Sequence, residues 1–206
     1  MEFKERFRGY LPVVMDLETG GFDRRVHALL ELGCYFLNWE DDQLTVGDGH
    51  LWEVTPFEGA EIDPASAKVT GIDVNAPDRN SHDEKFVLAE CFKLVRARMK
   101  AAGCHRAILV AHNAAFDQGF LAAACERQQI KRNPFHPFST LDTAALAAVA
   151  YGHTVLSEAC RRAGMEFDNS SAHSAAYDAE RTAQLFCRMV NMWPPTSVMS
   201  PAAKTD

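Results

Sequence analysis

The sequence predicts a single α/β domain, on three observations. Extended apolar segments come first, helical and strand patterns then alternate, and neither an internal repeat nor a long linker divides the chain. With 206 residues, 47% of them hydrophobic, there is material for one sizeable core.

Residues 10–16 read as a buried strand that ends at Asp16. Gly20-Gly21 turns the chain, residues 28–36 form a second strand, and residues 45–55 a third beyond the polar stretch Glu40-Asp41-Asp42-Gln43. These strands predict an antiparallel meander opening a mixed sheet. A helix follows over residues 83–102, with Leu88, Cys91, Phe92, Val95 and Met99 on one face and Gly103 as its stop. Residues 106–111 are a short strand leading into His112-Asn113, and Asn113 is placed to cap the helix that carries Phe116, Asp117, Phe120 and Leu121. Residues 138–141 form another strand, followed by an alanine-rich helix from Asp142. The last long helix begins near Ser174, with Ala179, Ala183, Phe186, Cys187 and Val190 as its apolar stripe. Pro194-Pro195 stops it. The domain is thus expected over residues 1–193, with 194–206 a short, polar, mobile tail.

Composition narrows the function. No run approaches 18 consecutive apolar residues, so no membrane partner is expected. The first residues lack the apolar stretch of a secretion signal, which predicts a cytoplasmic protein. Cys34, Cys91, Cys104, Cys125, Cys160 and Cys187 are scattered without a Cys-x-x-Cys pair, which argues against a zinc site or a disulfide framework. The net charge of −7 opposes a nucleic-acid partner at first sight, because polyanions are bound by phosphate neutralisation. An acidic total can nevertheless combine a carboxylate cluster that needs divalent metal with a separate basic patch.

Four carboxylates fit such a cluster. Asp16 and Glu18 flank Leu17, so both leave the same face of the strand. Asp117 lies in the first turn or two of its helix, and Asp178 lies early in the last one. Like charges gathered in one cleft are costly unless cations hold them. Two Mg²⁺ ions about 3.5–4 Å apart would do so, and would clamp the attacking and leaving oxygens of a phosphodiester. His173 precedes Asp178 by five residues, roughly 140° apart on a regular helix at ~100° per residue. The two can share a site only if His173 sits in the loop before the helix, as Asp168-Asn169-Ser170-Ser171 indicates. A loop histidine suits a general base for the attacking water. Singly, each of these residues is as readily a solvated turn acid, a first-turn acid or a loop histidine; together, in this order and context, they point to catalysis.

Asp16-Leu17-Glu18-Thr19-Gly20-Gly21, His112-Asn113-Ala114-Ala115-Phe116-Asp117 and His173-Ser174-Ala175-Ala176-Tyr177-Asp178 resemble the three exonuclease motifs of the DnaQ-like superfamily, histidine subclass. Within it, residues 131–138 and 8–14 closely resemble the ribonuclease T family, and the similarity spans about residues 6–193. The resemblance implies a ribonuclease-H-like fold, a mixed sheet flanked by helices. It also implies a 3′→5′ exoribonuclease that trims transfer RNA and other stable RNAs and acts on single-stranded DNA. Two Mg²⁺ ions, replaceable by Mn²⁺, would be held by Asp16, Glu18, Asp117 and Asp178, with His173 beside them as proton acceptor.

The same resemblance assigns Phe22, Phe116 and Phe138 to stacking on the last nucleotides, where aromatic faces contribute about 1–3 kcal/mol per base; core packing is the competing reading. At two further substrate positions the family often carries phenylalanine and glutamate, and this chain has Val69 and Ala65. Arg6, Arg8, Lys100, Arg106 and Lys131 match a basic patch that, in the homodimers of that family, feeds RNA into the partner's cleft. Otherwise they form a solvated mixed face. A DNA-proofreading exonuclease or an oligoribonuclease of the same superfamily is the alternative enzyme. A non-catalytic RNA-binding module would be marked by the loss of an acid, and none is missing.

Overall fold

The computed structural model describes residues 2–193, so the expected tail and its Pro194-Pro195 stop lie outside the described residues. Strands β1 (Tyr10–Thr19), β2 (Leu29–Glu40) and β3 (Gln43–Glu53) form the antiparallel meander, and β4 (Arg106–Ala111) and β5 (Phe135–Asp142) run parallel to β1. The order across the sheet is β3-β2-β1-β4-β5. The β2–β3 hairpin turns on Asp41 and Asp42, both at positive φ (47° and 60°), the backbone that matches the twist of its strands.

The pleat sorts the chemistry onto one face. Asp16 pairs with Gly33 and Glu18 with Glu31, so these four positions look the same way. Helix α6 (Ala175–Met192) packs on that side, its first turn directly over Gly33. A Cβ at Gly33 would stand 2.1 Å from the Ala175 carbonyl oxygen, so only glycine allows this approach. On the opposite face Met15, Leu17, Leu32 and Cys34 are buried beneath α2 (Glu84–Ala101) and α3 (Ala114–Arg127), and the Cys34 thiol meets Cys91 of α2. Helices α4 (Thr143–Tyr151) and α5 (Leu156–Arg162) cover the outer side of α6 through Ala147, Ala159, Cys160, Leu185 and Met189. All six cysteines are free and buried.

Several boundaries differ from the sequence reading. β1 continues to Thr19, so Asp16 and Glu18 lie within the strand and not at its end. β5 begins three residues early, but its pairing jumps from Ala107–Phe135 to Leu109–Thr140, so residues 136–139 bulge from the ladder. Two short helices were not foreseen: α5, and α1 (Pro64–Thr70), which is capped by the Asp63 carboxylate accepting from the Ala65 N–H at 2.9 Å. Asn113 occupies the N-cap position of α3 but makes no side-chain cap. Its backbone is left-handed (φ 67°), and its N–H donates to Asp142 Oδ1 at 3.2 Å.

Candidate active site

Three elements bring the acids together. β1 supplies Asp16 and Glu18, the first turn of α3 supplies Asp117, and the first turn of α6 supplies Asp178. Asp117 Oδ1 accepts the Leu17 N–H at 3.1 Å, locking α3 to the backbone between the two strand acids. His173 is in the loop before α6, as its spacing from Asp178 required, at a left-handed φ of 64°. Its N–H donates to Asp178 Oδ2 at 3.1 Å, which bends the loop back over the acid. Glu18, His173 and Asp178 each offer a ligand atom within 4.8 Å of the others.

The electrostatics are those of a cluster short of positive charge. Burial, then Asp178, Glu31 and Asp117, push the Glu18 carboxyl up to about 8. Burial likewise pushes Asp117 up to about 8, against the pull of its backbone hydrogen bonds. Asp16 is raised well above the carboxylate range by burial and by Asp117, Glu18 and Asp178. Asp178 is raised mainly by burial, and its Oδ1 is buried without a hydrogen-bond partner. A buried carboxylate oxygen with no donor is stable only if something positive arrives. Hard oxygen donors plus one imidazole are a set that suits Mg²⁺ or Mn²⁺.

The structure adds a participant that the sequence reading missed. Glu31, partner of Glu18 across the ladder, accepts the Ala175 N–H at 3.2 Å and so ties β2 to the start of α6. An acid inside an otherwise apolar strand was the available signal. His112, which opens the second motif but had no role assigned, is held by two contacts: its Nε2 lies 2.7 Å from the Thr154 carbonyl and its Nδ1 3.0 Å from Thr143 Oγ1. A carbonyl only accepts, so Nε2 carries a proton, and burial lowers the pKa of the imidazole. It fastens the end of β4 to the loop after α4.

Of the three aromatic candidates, Phe22 and Phe138 lie outside the core, whereas Phe116 is half-buried and packs against it, 4.9 Å from Phe120. Phe22 and Phe138 are 83% and 80% exposed, and Val69 is also exposed at the end of α1. Phe22 and Phe116 meet edge to face at 6.3 Å, with Phe116 next to Asp117. Phe138 stands on the β5 bulge against His136, at 4.5 Å.

The basic residues divide. Arg8 and Arg106 both bear on His136, whose imidazole is pushed down by burial and then by these two charges. Arg8 lies over the Tyr10 ring at 5.3 Å, and Lys131 borders the cleft that contains His136. Arg6 is different: it donates to the Trp193 carbonyl at 3.0 Å and lies over Phe7 and Trp39, closing the end of α6. Lys100 is in a separate cleft with Trp39 and Gly103. Arg8 and Arg106 sit where β1 and β4 begin, and six residues of strand, roughly 20 Å, separate Tyr10 from Asp16.

A family model described as RNase_T exonuclease matches residues 13–186. Ribonuclease T of Shewanella frigidimarina is 54% identical over 193 residues, covering 93% of this chain and 87% of the relative. Ribonuclease T of Escherichia coli is 54% identical over 190 residues, covering 92% and 88%. The chain belongs to the ribonuclease T family. Among solved structures, the nuclease domain of 3′hExo, a DEDDh family member bound to rAMP, superposes with a TM-score of 0.71 at 20% identity, over 89% of this chain and 92% of that one. That likeness shows the ribonuclease-H-like fold. Membership of the ribonuclease T family makes the chain a 3′→5′ exoribonuclease that uses divalent metal and acts on nucleic acid. No helix among the described residues is long and apolar enough to cross a membrane.

Proposed function

We propose that the chain trims single-stranded 3′ ends of transfer RNA and other stable RNAs, and single-stranded DNA, as a cytoplasmic Mg²⁺-dependent homodimer. The observation that carries the reading is the convergence of Glu18, His173 and Asp178 beside Asp16 and Asp117, with Asp178 Oδ1 buried and unpartnered. Asp16, Glu18, Asp117 and Asp178 would hold two Mg²⁺ ions, with His173 at their edge. When bound, the ions supply positive charge to both the attacking and the leaving oxygen.

The protein's own groups do the rest. Phe22 and Phe116 offer faces for the terminal bases, while Phe138, beside His136 on the β5 bulge, stands with Arg8 and Arg106. Val69 adds an apolar contact without a π face. The His173 imidazole takes the proton of the attacking water as that oxygen bonds to phosphorus. The bond to the 3′ oxygen of the upstream strand breaks, releasing a nucleoside 5′-monophosphate. Left-handed backbone at His173 fits this role, because the Asp178 carboxylate fixes the loop while the ring remains free to move a proton.

Arg8, Arg106 and Lys131 lie too far from the acids of their own chain to guide the same 3′ end into it. A second copy that presents its cleft to them would use them, which supports delivery across a dimer. The test is digestion of a transfer RNA with an unpaired 3′ end in Mg²⁺, in EDTA, and by Asp16→Ala. Stepwise loss of 3′ nucleotides in the first alone is expected. Equal digestion in all three would overturn the reading.

A further inference from the structure

Two arginines beside the aromatic pair remain outside everything described so far. Between β1 and β2 the chain passes through Phe22-Asp23-Arg24-Arg25, all exposed, around an open cleft of about 390 Å³. The backbone there is held tightly. The Asp23 carbonyl accepts from Val26 and His27 at 3.1 and 2.8 Å, and the Asp23 N–H donates to His27 Nδ1 at 2.9 Å. Asp23 Oδ1 is occupied by the Arg25 N–H at 2.9 Å. Arg127 donates to the Arg24 carbonyl at 2.9 Å and is itself anchored on the buried Glu84 at 2.6 Å.

The side chain of Arg24 is positioned as well. It lies across α3 at Gly119, where an added Cβ would stand 2.9 Å from Nη1 and 3.2 Å from Cδ. Gly119 is three residues beyond Phe116, so the guanidinium rests one helical turn from the ring that meets Phe22. Yet among the described residues neither Arg24 nor Arg25 forms an ion pair or a side-chain hydrogen bond. A guanidinium laid in a slot on a rigid loop, with no carboxylate to answer it, is preorganised for an anion from outside. The anion available here is the substrate strand. With the 3′ end at the acids and the last bases on Phe22 and Phe116, strand beyond the rings lies on the 5′ side, and each linkage carries one negative charge.

We propose that Arg24, seated against Gly119, binds a backbone phosphate of single-stranded nucleic acid immediately 5′ of the bases stacked on Phe22 and Phe116, with Arg25 next to it on the same path. The inference rests on the exonuclease reading of the site. Its chemistry is a forked guanidinium–phosphate contact, indifferent to base and to sugar. It also places a positive charge on the rim of an otherwise repulsive cleft, separate from the patch at Arg8 and Arg106.

The test reads binding without turnover. A 5′-labelled single-stranded decanucleotide is titrated in EDTA across a salt series, with wild type, Arg24→Ala, Gly119→Leu and the double variant. Arg24→Ala should raise Kd about three- to tenfold at low salt, as expected for loss of one charged hydrogen-bonded contact. The slope of log Kd against log salt should fall by about 0.7, the value for one phosphate on a single strand. In Mg²⁺ its KM should rise while kcat holds within about twofold. Gly119→Leu fills the slot and should weaken binding similarly, with the double variant no worse than either single one. Wild-type Kd and slope in Arg24→Ala would overturn the inference, as would fully additive losses in the double variant. A wild type that binds the strand but never shortens it in Mg²⁺ would overturn the exonuclease reading, while the Arg24 result would still stand or fall by itself.

Discussion

Toward the end of β1, four carboxylates converge, Glu18 and Asp117 buried and Asp16 and Asp178 half-buried, and none of them has an arginine or lysine bonded to it among the described residues. At its start, the cations are comfortably housed: Arg8 rests on Tyr10, and Arg6 rests on Phe7 and Trp39 while it bonds the last carbonyls of α6. The two regions share a sheet and lie roughly 20 Å apart along one strand. Charge at the basic end contributes to the fold, whereas charge at the acidic end opposes it and is kept for what it can bind. Removing one of the acids should therefore cost activity and spare stability, whereas removing Arg6 should cost stability.

The largest expected effect is at Asp16. Asp16→Ala should abolish hydrolysis, and in metal-free buffer at pH 8 its melting temperature should equal or exceed that of wild type, because one of several mutually repelling groups is gone. A melting temperature several degrees lower, with the same loss of activity, would make the acids structural. Next is His173→Ala, which should lower kcat by about 10²–10⁴ and leave RNA affinity nearly unchanged. If the entire loss appears in affinity, His173 holds substrate and does not move a proton.

The contrast extends to pH. Glu18 and Asp117 titrate near 8 in the folded protein, well above their unfolded values, so the folded state binds more protons between about pH 4 and 8. Stability without metal should be greatest at the acidic side of that window and fall as pH rises through 8. Melting curves in EDTA at pH 5.5, 7 and 8.5 check the sign, and Glu18→Gln should flatten the trend.

At the basic end, Arg6→Ala should cost about 1–2 kcal/mol of stability, from its hydrogen bonds to the end of α6. Arg106→Ala should leave the melting temperature alone and reduce the salt slope of RNA binding by about one unit per lost phosphate contact. Mixing Asp16→Ala with Arg106→Ala subunits should restore part of the activity on structured RNA if one composite site forms. Fully active monomers in sedimentation would contradict delivery across a dimer. Smallest is Val69→Phe, which should tighten binding of short strands several-fold by adding a stacking face.

Much of this arrangement was legible in the sequence, because the acids lie in strongly patterned segments. The period of two in β1 puts Asp16 and Glu18 on one face whatever the strand's end, and the five-residue gap from His173 to Asp178 excludes a common helix. Less was legible where tertiary contacts override local pattern. Asn113 looks like a helix cap, but the pull of Asp142 on its N–H accompanies a left-handed backbone. Helices α1 and α5 have seven residues each and no long apolar stripe. Glu31 is marked only as an acid inside an apolar strand, and it takes the β1–β2 register to put it opposite Glu18. Arg6 reads as one more surface cation until the end of α6 is seen above it.

The most direct test of the central claim, that the acids are kept apart from the fold's interest in order to hold divalent metal, is the melting temperature at pH 8 with and without Mg²⁺, on wild type and on Asp178→Asn. Wild type should be stabilised by several degrees as Mg²⁺ saturates, since a ligand that binds only the folded state shifts the equilibrium toward it. Asp178→Asn should start at or above the metal-free wild type and gain little. An equal gain in both proteins, or none in wild type, would contradict the account.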